Sequence, residues 1–414
     1  MPLLDGTAAS RVVLGLGGCV DYEVKLTAEV LEKLIIEYGV ATADLTSPAG
    51  SVTDERDLVV SILRYVYRGG GGEHYVASAP ALSDFANRFP RRETLGGTSV
   101  RAGILMSRLG VPSTLHLVSV NDTFRRLLPA DTEYIDSGRE DTFYPHLIVQ
   151  YDRGLRLRAG DIDLTAPAPN RLIYVNDPAN GDMLLTGDLG DRLAKADIFL
   201  ISGLNAMRDE AELDARLASL RDHMRRLPAH AVTYFEDAAY HEPAFSRRVR
   251  EALLDQIDVY GLNEDELQSY LNRTVDLLDP DAVADALTAV RALIPAPTLV
   301  LHTKYWALAA GQGRYTAALD TGTVMAATRY AHGDDFTDHD VERLRRLPRR
   351  PESVAFAAAL RSRAAIACVP GFALEVESPT TVGLGDTFVG GFLAEVARKG
   401  RTAGKGRTAG KGWR

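Results

Sequence analysis

The stretch Thr380–Phe388, which reads TTVGLGDTF, decides how the rest of this chain is interpreted. Two glycines, Gly383 and Gly385, come just before Asp386, and apolar residues at helical spacing follow over Phe388–Val396. Glycines ahead of a helix leave backbone N–H groups unpaired, and such groups suit an anion. A carboxylate would repel a phosphate that was merely bound, but it can take a proton from the group that attacks it. The pattern predicts a phosphoryl-transfer turn, and a capped helix start is the alternative.

In the phosphoryl-transfer interpretation, Asp386 is the catalytic base, and the backbone N–H groups of Gly383, Leu384 and Gly385 form the anion hole. A positioned general base contributes on the order of a hundred- to ten-thousand-fold in rate. The P-loop pattern Gly-x-x-x-x-Gly-Lys-Ser/Thr occurs nowhere, so any nucleotide site is of another kind. The run Gly15–Gly18 lacks the third glycine of a dinucleotide fingerprint, which argues against a Rossmann dehydrogenase.

Bulk properties predict a soluble protein of two domains, or of one large domain with an insertion. The 414 residues are 46% hydrophobic and 25% charged, and the net charge of −9 argues against general nucleic-acid affinity. The two cysteines, Cys19 and Cys368, fit a reducing, cytoplasmic location without a disulfide framework. No signal peptide or membrane span is expected. These properties do not define an oligomeric state.

From about residue 171 onward the chain alternates between β-rich runs and helical stretches, which predicts βαβ units and a mainly parallel sheet. The predicted strands are Leu172–Val175, Ile198–Ile201, Val232–Phe235, Val259–Leu262 and Thr298–Leu301. The predicted helices are Glu210–Arg226, Phe245–Leu254, Glu264–Leu271 and Asp281–Leu293. Several strands end in polar residues, and ligands of open α/β sheets bind at the carboxyl ends of the strands. These residues are therefore expected to share one site.

Acidic residues after two of these strands are candidates for organising Mg²⁺, because this ion prefers oxygen ligands. They are Glu266, within Asn263–Glu266, and Glu236, which is followed by Asp237. The alternative is that these acids bind no metal. Acidic side chains are favourable at a helix N-terminus, and two adjacent acids in a loop are often simply exposed to solvent. His302 follows the strand Thr298–Leu301 and is expected in the same crevice.

Near the N-terminus, Asp21 and the pair Gly96–Gly97 offer a carboxylate and closely approaching backbone, which suit a polyhydroxyl ligand. The alternative is a pair of tight turns with a surface aspartate.

Taken in order, these motifs resemble the ADP-dependent glucokinase/phosphofructokinase family of the ribokinase-like superfamily, over residues 12–396. The resemblance rests on Pro379–Thr387, the Asn-x-x-Glu motif at Asn263–Glu266, and Gly96–Gly97. It also rests on the strand-end motifs Ile201–Leu204 and Phe235–Glu236, on His302–Trp306 and on the early Asp21. It implies an α/β fold, with a ribokinase-like three-layer α/β/α large domain and a smaller β-rich lid.

The resemblance also implies roles for the motifs. Asp386 is the expected base, Gly383–Gly385 the anion hole, and Glu266 and Glu236 the carboxylates that organise Mg²⁺ through water. Asp21, Gly96, Gly97 and Glu93 are the expected sugar-side residues, and His302, Thr303 and Asn263 are the expected nucleotide-side residues. The implied reaction transfers a phosphoryl group from ADP to glucose or fructose 6-phosphate and releases AMP. An ATP-dependent kinase, or a non-catalytic sugar-binding protein on the same scaffold, remains the alternative.

Two departures from the family pattern bear on the site. Tyr234-Phe235-Glu236 stands where the family usually has His-x-Glu, and Thr98–Arg101 replaces an Asn or Gln followed by Ala-Gly. The second departure leaves the acceptor open. A phosphosugar requires cations, which Arg101 or the lid arginines Arg153, Arg156 and Arg158 could supply, whereas a neutral hexose favours acids such as Glu93.

The expected domain boundaries are discontinuous. The large domain comprises residues 10–20, 40–90, 102–140 and 171–396, and the lid comprises residues 21–39, 91–101 and 141–170. Residues 397–414 include the repeat RTAGKG and are expected to form a basic, disordered tail.

Overall fold

The computed structural model describes residues 11–47, 50–312, 315–363, 366–376 and 379–405. Its strands are β1 (Val12–Leu14), β2 (Cys19–Lys25), β3 (Gly72–Tyr75), β4 (Arg91–Gly96), β5 (Ser113–Leu117), β6 (Glu133–Asp136), β7 (His146–Tyr151), β8 (Arg156–Ala159), β9 (Ile162–Thr165), β10 (Asn170–Val175), β11 (Ile198–Ile201), β12 (Val232–Glu236), β13 (Val259–Asn263), β14 (Thr298–His302), β15 (Trp306–Gly311) and β16 (Ile366–Pro370).

Its helices are α1 (Ala28–Glu37), α2 (Thr42–Thr46), α3 (Glu55–Arg68), α4 (Ala79–Ala86), α5 (Thr98–Arg108), α6 (Asp122–Leu127), α7 (Pro178–Asp182), α8 (Gly187–Leu193), α9 (Glu210–Met224), α10 (Pro243–Leu253), α11 (Glu264–Leu271), α12 (Pro280–Leu293), α13 (Thr316–His332), α14 (Asp338–Arg345), α15 (Pro351–Arg363) and α16 (Leu384–Lys405). No helix among the described residues is both long enough and apolar enough to cross a bilayer.

A nine-stranded sheet forms the centre of the large domain. Its order is β16-β15-β14-β13-β12-β11-β1-β5-β6. The strands from β14 to β6 are parallel, and β15 and β16 add an antiparallel edge. Successive side chains of β1 point to opposite faces of the sheet, and each face has its own hydrophobic core. Val12 and Leu14 pack into one core with α5, α13 and α16, and Val13 packs into the other. The second core includes residues of α9, α10, α12 and α15. The predicted α/β/α arrangement is therefore confirmed.

A second sheet of five strands, in the order β3-β10-β7-β2-β4, forms the lid. One face is apolar and packs with α1, α3 and α4, since Val20, Tyr22 and Val24 of β2 belong to the buried core. Alternation places Asp21 and Glu23 on the opposite face of the same strand. The antiparallel piece expected within residues 141–170 is present as β7 and the β8–β9 hairpin.

The structure corrects the expected domain boundaries. Residues 40–90 were placed in the large domain, but β3 lies in the lid sheet, and α3 and α4 pack on lid strands. The strand at Asn170–Val175 is likewise a lid strand. Conversely, Thr98–Arg101 opens α5, which packs on α16 and β5 of the large domain.

Glycines allow the last helix, α16, to pack closely against its neighbours. A Cβ atom at Gly390 would lie 2.9 Å from the Ala102 Cα atom, and one at Gly391 would lie 3.0 Å from the Gly322 Cα atom. These glycines let α16 approach α5 and α13. The helix continues to Lys405, so the first part of the expected disordered tail is helical. Residues 406–414, the rest of that tail, lie outside the described residues.

Candidate active site

The carboxyl ends of neighbouring strands meet at one edge of the large sheet, as the sequence predicted. Asn263 of β13 pairs in register with His302 of β14, and Glu236 ends the adjacent strand β12. The His302 Nε2 atom lies 2.7 Å from the Glu236 Oε1 atom. Burial by itself lowers the pKa of His302, but the Glu236 carboxylate outweighs it and the net shift is upward.

The glycine turn of Gly383 to Asp386 lies over these strand ends. Gly383 has a φ of 67°, a conformation that glycine adopts without steric cost, and its carbonyl accepts hydrogen bonds from the backbone N–H and side chain of Thr387. The Phe388 ring stacks on His302 at 4.7 Å between centroids. A Cβ atom at Gly385 would lie 3.4 Å from the His302 Cε1 atom. His302 thus joins the turn to Glu236.

The Asp386 carboxylate is held by the first turn of α5. Thr98 donates a hydrogen bond of 2.8 Å from its hydroxyl to Asp386 Oδ1, and the Arg101 Nε atom lies 3.8 Å from Asp386 Oδ2. The side chain of Asp386 keeps 23% of its surface exposed. Both carboxylate oxygens therefore have a partner, and the group is still partly exposed to solvent.

Arg101 connects the turn to the lid. Its guanidinium donates to Asp21 Oδ2 at 2.8 Å and lies 3.4 Å from Glu23 Oε1. Both Arg101 and Asp21 are buried, with 7% and 2% exposure. Three carboxylates, from Asp21, Glu23 and Asp386, surround this one cation and raise the pKa of Arg101 despite its burial. Arg101 consequently stays charged and links Asp21, the expected sugar-side aspartate, to Asp386, the expected base.

The glycine pair next to Asp21 leaves room for its carboxylate. A Cβ atom at Gly96 would lie 2.4 Å from Asp21 Oδ2, and Gly97 has a φ of 90° where it precedes α5. The Gly97 backbone also passes close to Gly18, since a Cβ atom there would lie 3.1 Å from the Gly18 Cα atom. The structure therefore brings Asp21, Gly96 and Gly97 together beside Asp386.

The acids expected on the metal side form a crowded group in which Glu236 is buried and Glu266 is partly buried. Burial raises the pKa of Glu266 to about 8, and the charges of Asp237 and Glu236 add to the rise. Glu266 accepts hydrogen bonds from the backbone and the side-chain amide of Asn263, which closes a capping box at the start of α11. The Glu236 Oε2 atom is buried and has no hydrogen-bond partner among the described residues. Such an oxygen suits a cation or its water.

The Asp237 carboxylate is held by two neighbouring tyrosines. Its carboxylate accepts hydrogen bonds from the hydroxyls of Tyr260 and Tyr270, and burial raises its pKa. This residue therefore contributes negative charge to the group without presenting a free oxygen pair.

Three other predicted residues have contacts that do not point to substrate. The Thr303 hydroxyl bonds to backbone groups of Tyr305 and Trp306, so it closes a turn. Asn263 caps α11. Glu93 pairs in register with Tyr22 on the lid face opposite Asp21, and its carboxylate binds Arg126 at 2.7 Å. The structure does not bring Glu93 to Asp21.

The sequence assigned no role to Thr98, and it considered Arg101 only as a possible cation for a sugar phosphate. Thr98 and Arg101 belong to a departure from the family pattern, and that departure was the only signal.

Among the described residues, one group of three side chains has metal-ligating atoms within 4.8 Å of one another, and it consists of Cys19, Asp21 and His146. Burial raises the pKa of the Cys19 thiol and Arg101 already binds Asp21, so this group is better suited to hydroxyl groups than to a cation.

Comparison with known structures identifies the fold. A hypothetical ADP-dependent phosphofructokinase from Pyrococcus horikoshii OT3 aligns with a TM-score of 0.71 at 18% identity, over 95% of this chain and 99% of that chain. An ADP-dependent kinase in complex with fructose-6-phosphate and ADPbetaS aligns with a TM-score of 0.71 at 14% identity, over 94% of both chains. A search of curated proteins finds no match. At these identities the alignments show a shared fold.

The comparison of the sequence with protein families is more specific than the comparison of structures. Residues 10–394 match the conserved region of ADP-specific phosphofructokinases and glucokinases. The chain belongs to this family and is therefore an ADP-dependent sugar kinase. The resemblance stated from Pro379–Thr387 and the earlier motifs is confirmed.

Proposed function

We propose that this protein transfers a phosphoryl group from ADP to a hexose or hexose phosphate, either glucose or fructose 6-phosphate, and releases AMP with the help of Mg²⁺. The observation that carries the proposal is the position of Asp386. Its carboxylate is fixed by Thr98 and linked through Arg101 to Asp21, while the same turn contacts His302. A base, an acceptor-side aspartate and a strand-end crevice therefore meet at one place.

The chain's own residues define the chemistry. Asp386 takes the proton from the attacking hydroxyl, and Thr98 fixes the carboxylate so that one oxygen faces the acceptor. The backbone N–H groups of Gly383, Leu384 and Gly385 precede and begin α16, where they stabilise charge on the transferred group. Asp21 accepts hydrogen bonds from acceptor hydroxyls, and Arg101 holds it in place.

The metal-side residues fit a magnesium ion. Glu236 has a buried oxygen without a hydrogen-bond partner among the described residues, and burial raises the pKa of Glu266, with a further rise from the charges of Asp237 and Glu236. When bound, the ion would neutralise charge on the donor phosphates. Glu236 and Glu266 would hold it through water, because one Glu236 oxygen already binds His302 and both Glu266 oxygens accept hydrogen bonds from Asn263.

The family and two aligned structures support the donor and acceptor. One aligned structure contains fructose-6-phosphate and ADPbetaS, and a Pyrococcus horikoshii OT3 phosphofructokinase, with a TM-score of 0.70 at 17% identity, contains AMP. We extend these ligands to this chain because Asp386 and its turn occupy the matched region.

A matrix of donors and acceptors tests the proposal. Purified protein is assayed with ADP or ATP against glucose, fructose 6-phosphate and a wider sugar panel, with chelator and Mg²⁺ arms, and AMP is measured by chromatography. We expect AMP release from ADP with one of the two hexoses, only when Mg²⁺ is present. Turnover with ATP alone would overturn the donor assignment, and tight sugar binding without any turnover would favour a non-catalytic protein.

A further inference from the structure

Two buried oxygen atoms on the metal side of the site lack hydrogen-bond partners. They are the Tyr234 hydroxyl and Glu236 Oε2, and neither has a partner among the described residues. Tyr234 is fully buried, and Glu236 has 8% exposure. A buried polar atom costs free energy unless it is hydrogen-bonded, so both oxygens require an explanation.

The two oxygens are close neighbours. Tyr234 and Glu236 are two residues apart in β12, so their side chains leave the strand on the same face of the sheet. On the adjacent strand β13, Gly261 pairs in register with Glu236. A Cβ atom at Gly261 would overlap both Glu236 Oε2 and the Tyr234 hydroxyl oxygen. Both groups therefore occupy one space, which is available to them because residue 261 has no side chain.

Helix α16 packs on the side chains at both oxygens of the Glu236 carboxylate. The Phe388 ring stacks on His302, whose Nε2 atom lies 2.7 Å from Glu236 Oε1. One helical turn later, the Phe392 ring packs on the Tyr234 ring, with 5.4 Å between the centroids. The same helix thus holds His302 at one oxygen of the carboxylate and Tyr234 beside the other.

Packing alone does not explain the Tyr234 hydroxyl. A phenylalanine would place the same ring against Phe392 without burying a polar atom. A tyrosine hydroxyl can donate one hydrogen, and a carboxylate can only accept. This chain has tyrosine at the position where the family usually has the histidine of His-x-Glu, so the hydroxyl is a feature of this chain's own metal side.

From this geometry we propose that Tyr234 is a positioning residue for the metal ion. Its hydroxyl donates its hydrogen to Glu236 Oε2 once the carboxylate takes the orientation that serves Mg²⁺, while His302 holds Glu236 Oε1. Groups that orient a metal-binding carboxylate contribute to metal affinity without touching the ion. Tyr234 therefore acts on the ion only through Glu236.

The effect of metal on ADP affinity tests this role. Calorimetry measures the affinity of the full chain for MnADP and for ADP with chelator, in wild type and in Tyr234→Phe, which removes only the hydroxyl. We expect the variant to bind MnADP about tenfold more weakly than wild type, and metal-free ADP within about twofold of wild type. Thermal unfolding should show no loss of stability, because the substitution removes a buried polar atom that lacks a partner.

Two further comparisons separate positioning from general effects of substitution. Tyr174→Phe removes the hydroxyl of another fully buried tyrosine, which pairs with Ser61 in the lid, and should leave both affinities unchanged. In a Glu236→Ala background, adding Tyr234→Phe should cause no further loss of MnADP affinity, because side chains that act as a unit are not additive.

The inference rests on the proposed function, and the two can fail separately. If wild type binds MnADP and metal-free ADP equally, the magnesium assignment fails and the role of Tyr234 fails with it. If wild type binds MnADP more tightly and Tyr234→Phe keeps the whole of that gain, only the role of Tyr234 is overturned. An undiminished loss from Tyr234→Phe in the Glu236→Ala background would also overturn it, since the hydroxyl would then not act through Glu236.

Discussion

At the scale of single residues, the site depends on how α5 holds a carboxylate from α16. Thr98 and Arg101 are three residues apart and lie one helical turn from each other, so both reach Asp386. The sequence predicted the turn at Gly383–Asp386, because glycines and an aspartate in that order carry a local signal. It could not show that Thr98 is the partner, because that contact joins residues 288 positions apart.

Removing the Thr98 hydroxyl tests this contact. In Thr98→Val the Asp386 carboxylate loses a hydrogen bond, and a bond to a charged group contributes about 1.5–3 kcal/mol. We expect kcat/KM to fall about ten- to a hundredfold, while Thr98→Ser, which keeps the hydroxyl, stays within a few-fold of wild type. Steady-state kinetics with the best acceptor measures both, and equal activity of the Val and Ser variants would contradict the positioning role.

His116 carries a prediction about acid stability. It is fully buried in β5, and burial lowers its pKa to about 4. Its protonation is therefore disfavoured in the folded state, so stability is full above the unfolded value near 6.5 and is lost as pH falls towards 4. The loss attributable to this group is about 3 kcal/mol.

His116→Phe should reduce that acid-side loss. The variant keeps a ring in the core but has no group to protonate. Urea unfolding at pH 7 and pH 4 measures the change in the free energy of unfolding for each protein. The same decrease between the two pH values in wild type and variant would show that His116 does not cause it.

At the scale of elements, α16 has to enter a narrow space between α5 and α13. Gly390 and Gly391 make this possible, because any side chain there would meet backbone atoms of Ala102 or Gly322. Helix α16 also fixes the glycine turn at its own N-terminus, which carries Asp386. Packing along one helix and catalytic geometry at its start are therefore linked.

Substituting these glycines separates packing from helix propensity. Gly390→Ala should destabilise the protein by about 1–3 kcal/mol because the new Cβ atom overlaps α5. Gly400→Ala is the matched control on the same helix, where nothing lies within 4 Å, and it should stabilise by up to about 1 kcal/mol. Thermal unfolding compares them, and stabilisation by both substitutions would mean that the close approach is not required.

Elements with local signals were predictable from sequence, and those that depend on pairing were not. The helix Glu264–Leu271 has the bounds that were expected, because Asn263 and Glu266 form a capping box within four residues. The strand β3 follows a run of glycines and has no alternating pattern, so the sequence carries no strand signal at Gly72–Tyr75. It becomes a strand only because β10, about a hundred residues later, pairs with it.

At the scale of the whole molecule, the lid touches the large domain at both ends of the cleft. Arg101 bridges one end. At the other, His241 Nε2 lies 2.9 Å from Glu73 Oε1, and the Arg208 guanidinium lies 3.6 Å from the centre of the Tyr75 ring. Glu73 and Tyr75 belong to β3, so the strand that sequence analysis missed carries this second contact.

Loss of the Glu73 contact should favour an open lid. In Glu73→Ala we expect about a fivefold rise in KM for the acceptor, the equivalent of about 1 kcal/mol for one hydrogen bond, with kcat nearly unchanged. The unliganded variant should also have a larger radius of gyration by small-angle scattering. Asp84→Ala, an exposed position on lid helix α4, is the control. A fall in kcat at constant KM would contradict a role in closure.

The most direct test of the whole account is the activity of Asp386→Ala. A general base in a cradle of backbone N–H groups predicts that AMP release from ADP falls by about a hundred- to ten-thousand-fold, while calorimetry shows that sugar binding is retained. Full turnover by this variant with ADP and hexose would contradict the account, because the group that it places at the centre of the reaction would then be dispensable.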